Sequence, residues 1–367
     1  MEYKIGISKS RTAEACVSEA TAGFKHPKLI LFFSPVELFE QCAVLIHEKF
    51  PESISMGASV IASFGKEGAS KDSLRVMGIE SGICCSADIM EDINKYPIKY
   101  AQRVQKCVDQ VGKTKNTICL EFTTAFYCGE ESVLSALNSV LFSYNIPVFG
   151  GTAGDCGNMS GTRVGLNGCV RDCCTVFAII HNEGGAIHFF RENIYTPASG
   201  NLLTATRTDT QTRTVLEYNS KPAAKMYAQE LGVSEDQITK YFDTHPMGRL
   251  IGDDMFITAN CALANNHAIT YHARIMDNAK VCVLKPDNYK EIIQETMREI
   301  KAKCPKPSLS IMCHCLARTL LFEGDGYLNE YARSMSSVLG NYIGFSGYGE
   351  QFGEQHLNQT MIVIVFE

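Results

Sequence analysis

The sequence predicts an α/β protein of two related lobes, in which repeated strand–helix–strand–strand units form mixed sheets flanked by helices. Three observations carry this. Apolar runs of strand length alternate with stretches of helical periodicity. The order strand, helix, short strand and glycine-rich corner occurs three times, with corners at Gly57, Gly150 and Gly344. After each corner come a polar loop and another apolar strand: SLRVMGI, CCTVFAII and TMIVIVF.

The first unit opens with the strand KLILFF. SPVELFEQCAVLIHEKF follows as a helix, with Leu38, Cys42, Leu45 and Ile46 on one stripe. Ser34 reads as its N-cap, Pro35 as its first residue, and Glu37 as the partner in a capping box. The helix leads into SISMGASVIASFG. Upstream, YKIGIS and TAEACVSEATAGF begin a further, degenerate unit. The second unit is NTICLEFTTAF, GEESVLSALNSVLF and NIPVFGGTAGDCG. The third takes LSIMCHCLART as a strand. GDGYLNEYARSMSSVLG is its helix, with Leu328, Tyr331, Ala332, Met335 and Leu339 on one face and Gly340 in the left-handed closing position. NYIGFSGYGE completes it. The corners at Gly57 and Gly344 share a Gly-x-Ser pattern.

Residues 201–221 are polar and Thr-rich and read as a crossing segment between a lobe at 1–200 and a lobe at 222–367. The second lobe adds a helix at AAKMYAQELG and a strand pair around ANNHAITYHARI. An amphipathic helix follows in DNYKEIIQETMREIKAKCP, where Tyr289, Ile292, Ile293, Met297 and Ile300 align and Pro305 stops it.

Composition excludes several partners. Of 367 residues 45% are apolar and 20% charged, and the net charge is −6 with both signs mixed, so nucleic acid and anionic membrane are not expected partners. No apolar run reaches the roughly 18 residues a membrane helix needs, and the first residues show no charged leader before an apolar stretch. A cytoplasmic protein is expected. Sixteen cysteines, with adjacent pairs at 84–85 and 173–174 but no C-x-x-C, read as reduced, mostly buried thiols.

From this point the residues resemble a known family. PKLILFFSPVELFEQCAVLI, SMGASVIASFG and IPVFGGTAGDCG, with TRVGLNGCV, resemble the N-terminal FIST domain. HPMGRLIGDD, SIMCHCLART and YIGFSGYGEQFGEQHLNQT resemble the C-terminal one. The first corner departs from the family in carrying no acid before Glu67. The resemblance implies a non-catalytic intracellular sensor for a small molecule, with amino acids and related metabolites as the ligand class. It also implies a separate signalling protein as partner. Some relatives look like haem-binding, nitric-oxide-responsive regulators. No cofactor is expected here, although a non-covalent haem stays open because axial ligand types are plentiful and no C-x-x-C-H motif is present.

Ligands of open α/β sheets gather beyond the carboxyl ends of strands. Arg318 follows such a strand and offers a fork for a carboxylate or phosphate. Gly344, Gly347 and Gly349 let backbone approach closely, Tyr348 lies between the last two, and Glu350 could accept an ammonium. Arginine and glutamate facing one pocket would suit a zwitterion; the alternative is a structural pair. Gly150, Gly151 and Asp155 are the corresponding residues of the first lobe, where Asp155 could instead cap a turn. Arg249 is a third candidate, against the reading of an exposed surface arginine. Asn358 is a fourth, with Thr360 beside it, against turn hydrogen bonding. Cys313, His314 and Cys315 alternate faces on a strand and lack a partner motif with zinc spacing. A thiol enzyme using Cys315 would need a base, His356 or His272 being available.

Overall fold

The structure is a computed structural model and describes residues 1–155 and 161–367. Cys156 and Gly157 of the second corner motif lie outside the described residues. The chain forms two compact units: residues 1–191, 296–354 and 361–367 make the first, and 192–295 with 355–360 the second. These units cut the chain along lines other than the linear lobes 1–200 and 222–367.

In chain order the first unit contains β1 (Glu2–Ser8), α1 (Ala13–Ala20), β2 (Leu29–Ser34), α2 (Val36–Lys49), β3 (Ile54–Ser59), β4 (Ala62–Gly65), β5 (Gly68–Ser70) and β6 (Leu74–Ser81). Then come β7 (Ile83–Glu91), α3 (Ala101–Val111), β8 (Thr117–Thr123), α4 (Glu130–Leu141), β9 (Val148–Thr152), β10 (Val164–Leu166), β11 (Cys169–Arg171), β12 (Cys174–Asn182) and β13 (Ile187–Asn193). The second unit follows with β14 (Tyr195–Pro197), β15 (Leu203–Asp209), β16 (Thr214–Tyr218), β17 (Lys221–Pro222), α5 (Ala223–Leu231), β18 (Met247–Ile251), β19 (Asp254–Thr258), β20 (Asn260–Ala264), β21 (Ala268–Tyr271) and β22 (Lys280–Pro286). The rest is α6 (Tyr289–Lys303), β23 (Leu309–Cys315), α7 (Leu316–Gly324), α8 (Leu328–Leu339), β24 (Ile343–Gly347), β25 (Gly349–Phe352), β26 (Gln355–Leu357) and β27 (Thr360–Phe366).

The three predicted units are one design. β2 and β3, β8 and β9, and β23 and β24 pair in parallel across a helical crossover. Antiparallel to the first strand of each pair, on its other side, runs β6, β12 or β27. The sheets read β1-β6-β2-β3-β10-β11, then β7-β12-β8-β9-β25, then β13-β27-β23-β24-β4-β5. Each repeat therefore sends the strand after its corner to another repeat. β4 pairs with β24, β10 with β3, and β25 with β9. The exchange is cyclic.

This exchange answers what the corner glycines do. A side chain at Gly347 would sit against the Thr152 carbonyl oxygen, and one at Gly151 against the Cys313 thiol and the Phe345 ring. The strands of different repeats cross too closely there for a Cβ. Phe33, Phe122 and Phe345, one from each repeat, meet with ring centroids 4.7 to 5.4 Å apart. They bind the three sheets through a shared aromatic contact. On the outer faces, α1 and α2 bury Cys16, Val17, Phe39 and Ile46 against Phe32 and Val76. α3 and α4 do the same with Val104, Val108, Leu134 and Leu137.

Three local expectations change. Ser34 ends β2, its hydroxyl bonds the Pro35 carbonyl, and α2 begins at Val36 with no side-chain cap. Pro35 cannot donate, so its fixed φ turns the chain without a capping box. The run LSIMCHCLART is strand only to Cys315; Leu316 opens α7, so two helices replace the one expected in this repeat. Gly340 has φ 68° and ψ −141°, a positive φ but outside the left-handed helical region.

The second unit is a strand order of β19-β18-β22-β15-β16-β21-β20, with β14 on β22 and β17 on β16. The Thr-rich segment near 201–221 supplies the β15–β16 hairpin. Its core gathers Val215, Tyr218, Tyr227, Met247, Ile269 and Val283. Among the described residues, no helix is long and apolar enough to cross a membrane.

Candidate ligand site

The site grows from the strand exchange between the second and third repeats. Gly151 stands opposite Glu350 and Gly150 opposite Gln351 in the β9–β25 pair. Two corners far apart in sequence thus share one sheet. Beyond the strand ends, the Tyr348 hydroxyl donates to Asp155 Oδ1 at 2.5 Å, and the Gly161 amide donates to Oδ2 at 3.1 Å. Asp155 is therefore not capping its own turn alone; it ties one repeat to another. The Tyr348 ring packs on Phe126, whose φ of 73° is unusual for a bulky residue.

Arg318 lies in the first turn of α7, just past the carboxyl end of β23, and is fully buried. Cys315, at the strand end, is paired with Gly347 in the parallel β23–β24 register. The Arg318 guanidinium lies over the Phe322 ring at 5.2 Å, and its Nε donates to His314 Nε2 at 3.4 Å. Arginine keeps its charge in the interior, so such a group is retained only with polar or anionic company. His314 is held by burial, and then by the nearby Arg318 charge, well below the usual histidine range. It is a neutral ring.

Glu350 is fully buried on β25. Burial, and after it the Glu350 carboxyl, pushes the Cys313 thiol well above the ordinary value. Cys313 is thus an inert thiol, and Cys315 is 3% exposed on the same strand. Gly344 packs against Met312, and Gly349 stands opposite Thr152. Among the described residues no three His, Cys, Asp or Glu side chains are placed to hold a metal ion.

Arg249 and Asn358 belong to the second unit. The expectation of an exposed arginine fails: Arg249 is 8% exposed, donating from Nη2 to the His356 carbonyl at 2.6 Å and from Nη1 to the Arg274 carbonyl at 3.0 Å. Asn358 Oδ1 accepts from the Ala259 amide at 3.2 Å, which orders the neighbouring backbone. Sequence reasoning passed over Glu121, a fully buried carboxyl on β8 that accepts from Thr123 at 2.5 Å. Its signal was present, a single acid within the apolar strand TICLEFT. It also passed over His314 as anything but a metal ligand.

The FIST N domain profile matches residues 28–221 and the FIST C domain profile residues 223–353. The chain belongs to the FIST family. FIST domains are associated with sensory signalling. Among curated proteins, the chain resembles the uncharacterized protein MJ1623 of Methanocaldococcus jannaschii, with 23% identity over 92% of this chain and 73% of that protein. Among solved structures, PurLQS from Thermotoga maritima matches 99% of this chain and 71% of its own with 9% identity and a TM-score of only 0.19.

Proposed function

We propose that this FIST protein is a cytoplasmic, non-catalytic sensor that binds a small charged metabolite, an amino acid by preference, and signals through a separate protein. The observation that carries the reading is Arg318. A fully buried guanidinium past a strand's carboxyl end, in the first turn of a helix, is a costly feature for a structure to keep. A carboxylate there would be met by the guanidinium and by the positive end of the helix. Glu350, buried on the exchanged strand β25, supplies the opposite charge for an ammonium group. The reading also takes in Asp155, Tyr348, Gly349 and the backbone of Gly150 and Gly151, and is supported there by the β9–β25 pairing and the Tyr348–Asp155 hydrogen bond. A ligand that binds only the folded state raises its melting temperature. Thermal-shift measurements with each proteinogenic amino acid should therefore find at least one stabiliser, and Arg318→Ala should remove the shift. A shift that survives this substitution would place the site elsewhere.

A further inference from the structure

The second glycine corner lies at the carboxyl ends of the parallel strands β8 and β9. The amino ends of the same strands bound an open cleft of about 480 Å³. β8 spans seven residues, so about 20 Å separates its two ends. A cleft of this volume is of the size that holds small molecules. Three stretches of the first unit wall it. The turn before β8 contributes Lys115, the turn before β9 contributes Tyr144, Asn145 and Pro147, and the edge strand β13 contributes Ile187 and Phe189.

The walls are preset by their own hydrogen bonds. The Thr117 hydroxyl lies 3.1 Å from the Lys113 carbonyl and 3.2 Å from the Lys115 carbonyl, and His181 Nδ1–H donates to the Lys115 carbonyl at 3.0 Å. These contacts hold the turn that carries Lys115. Gln105 donates to the Tyr144 hydroxyl at 2.8 Å, which leaves the phenol proton to be donated elsewhere. The Phe189 ring is fixed edge-on to Phe352, with centroids 6.1 Å apart.

The lining selects a ligand class. No Asp or Glu lines the cleft, so nothing there would balance an ammonium group. Lys115 is its single charged residue and enters no ion pair among the described residues. One lysine matches one carboxylate, whereas a dianionic phosphate would be only half balanced. The Tyr144 hydroxyl and the Asn145 amide add neutral donors. Pro147, Ile187 and the two aromatic rings supply an apolar surface for a flat ring.

We infer that this cleft is a second small-molecule site, for an aromatic monocarboxylate without an ammonium group, the ring lying against Tyr144 and Phe189 and the carboxylate toward Lys115. It shares no residue with the Arg318 corner, so either reading can fail alone. The chain contains no tryptophan, so indole fluorescence excited beyond the tyrosine band reports a ligand without protein background. Indole-3-acetate is the probe, and tryptamine, the same ring on a cationic arm, is the control. Titrating the full chain into indole-3-acetate should give a saturable rise in anisotropy, and tryptamine should bind about tenfold more weakly or worse. Lys115→Met should weaken indole-3-acetate by about fivefold, the scale of one exposed charge pair. Asn145→Asp keeps the size of the side chain and its tolerance of the positive φ of 53°, yet sets an acid on the wall. It should lower the affinity for indole-3-acetate and raise that for tryptamine. Both positions are exposed, so both variants should fold. The absence of a saturable signal would overturn the inference. So would tryptamine binding as tightly as the acid, or an affinity indifferent to both substitutions.

Discussion

At the scale of single residues, Glu121 shows what the interior of this fold does to a carboxyl group. Burial, opposed by the Thr123 hydroxyl and reinforced by Glu130, raises its pKa from 4.5 to about 8. In the unfolded chain the proton leaves near the ordinary value. Between the two, the native protein binds a proton that the unfolded chain does not. Stability therefore falls as pH rises through this window, by at most about 1.4 kcal/mol per pH unit, and levels off above it. Glu121→Gln removes the ionisation, so urea denaturation of the variant should lose that slope. Parallel pH profiles for the two proteins would refute the assignment. Arg75 poses the opposite problem. It is 1% exposed and donates to Glu67 at 2.8 Å, while the Glu67 side chain is 46% exposed. Burial raises the Glu67 pKa, but the Arg75 hydrogen bond and charge outweigh it and the net shift is downward. Glu67→Ala leaves a buried cation short of its anion and should cost about 2–4 kcal/mol. Arg75→Met leaves only a half-solvated carboxylate and should cost less. The reverse order in denaturant titrations would mean that Glu67 contributes little.

At the scale of elements, the exchanged hairpin of β4 and β5 is held by side chains as well as by its ladder. Asn329 Oδ1 on α8 accepts from the Ala69 amide at 3.0 Å, and Arg333 donates to the Glu67 carbonyl at 3.3 Å. Asn329→Ala removes the acceptor of an exposed amide and should cost about 1 kcal/mol, read as a shift in urea midpoint at constant slope. The parts of the fold legible in the sequence were those with a strong local signal. β2, β8, β23 and the return strands β6, β12 and β27 are apolar runs bounded by turn residues, and α6 has a long amphipathic stripe. What stayed hidden was non-local. Nothing near Gly57 announces that its strand will pair with residues 164–166, because that pairing is chosen by packing between repeats. Helix α7 was missed because Leu316 and Thr319 suit either a strand or a helix and were read as the end of the strand LSIMCHCLART. Of the candidate site, Arg318 was readable as a charge just past a strand and Glu350 as a charge beside glycine. The contact of His314 with Arg318 was not, since it arises only where the strand gives way to α7.

At the scale of the first unit, three repeats share one plan but not one chemistry. At the helix-facing end of the first strand, Ser34 and Thr123 carry a hydroxyl where the third repeat carries His314. One position earlier the first two repeats supply Phe33 and Phe122 to the central contact, while the third supplies Cys313 and gives its phenylalanine, Phe345, from the adjoining strand. Small residues face each large one: Ala58 beside Phe33 and Gly151 beside Phe122. Volume is conserved around the centre even though its origin shifts.

The cyclic exchange has a kinetic consequence. The edge of β3 stays unpaired until residues 164–166 arrive, the edge of β9 until 349–352, and the edge of β24 until 62–64. Closing such distant loops is slow, and none of the three sheets can be finished from its own stretch of chain. The amides of β3, β9 and β24 should consequently trade deuterium at one common rate, set by opening of the whole unit, and a strand that exchanged much sooner than the other two would show that one link of the ring can loosen alone.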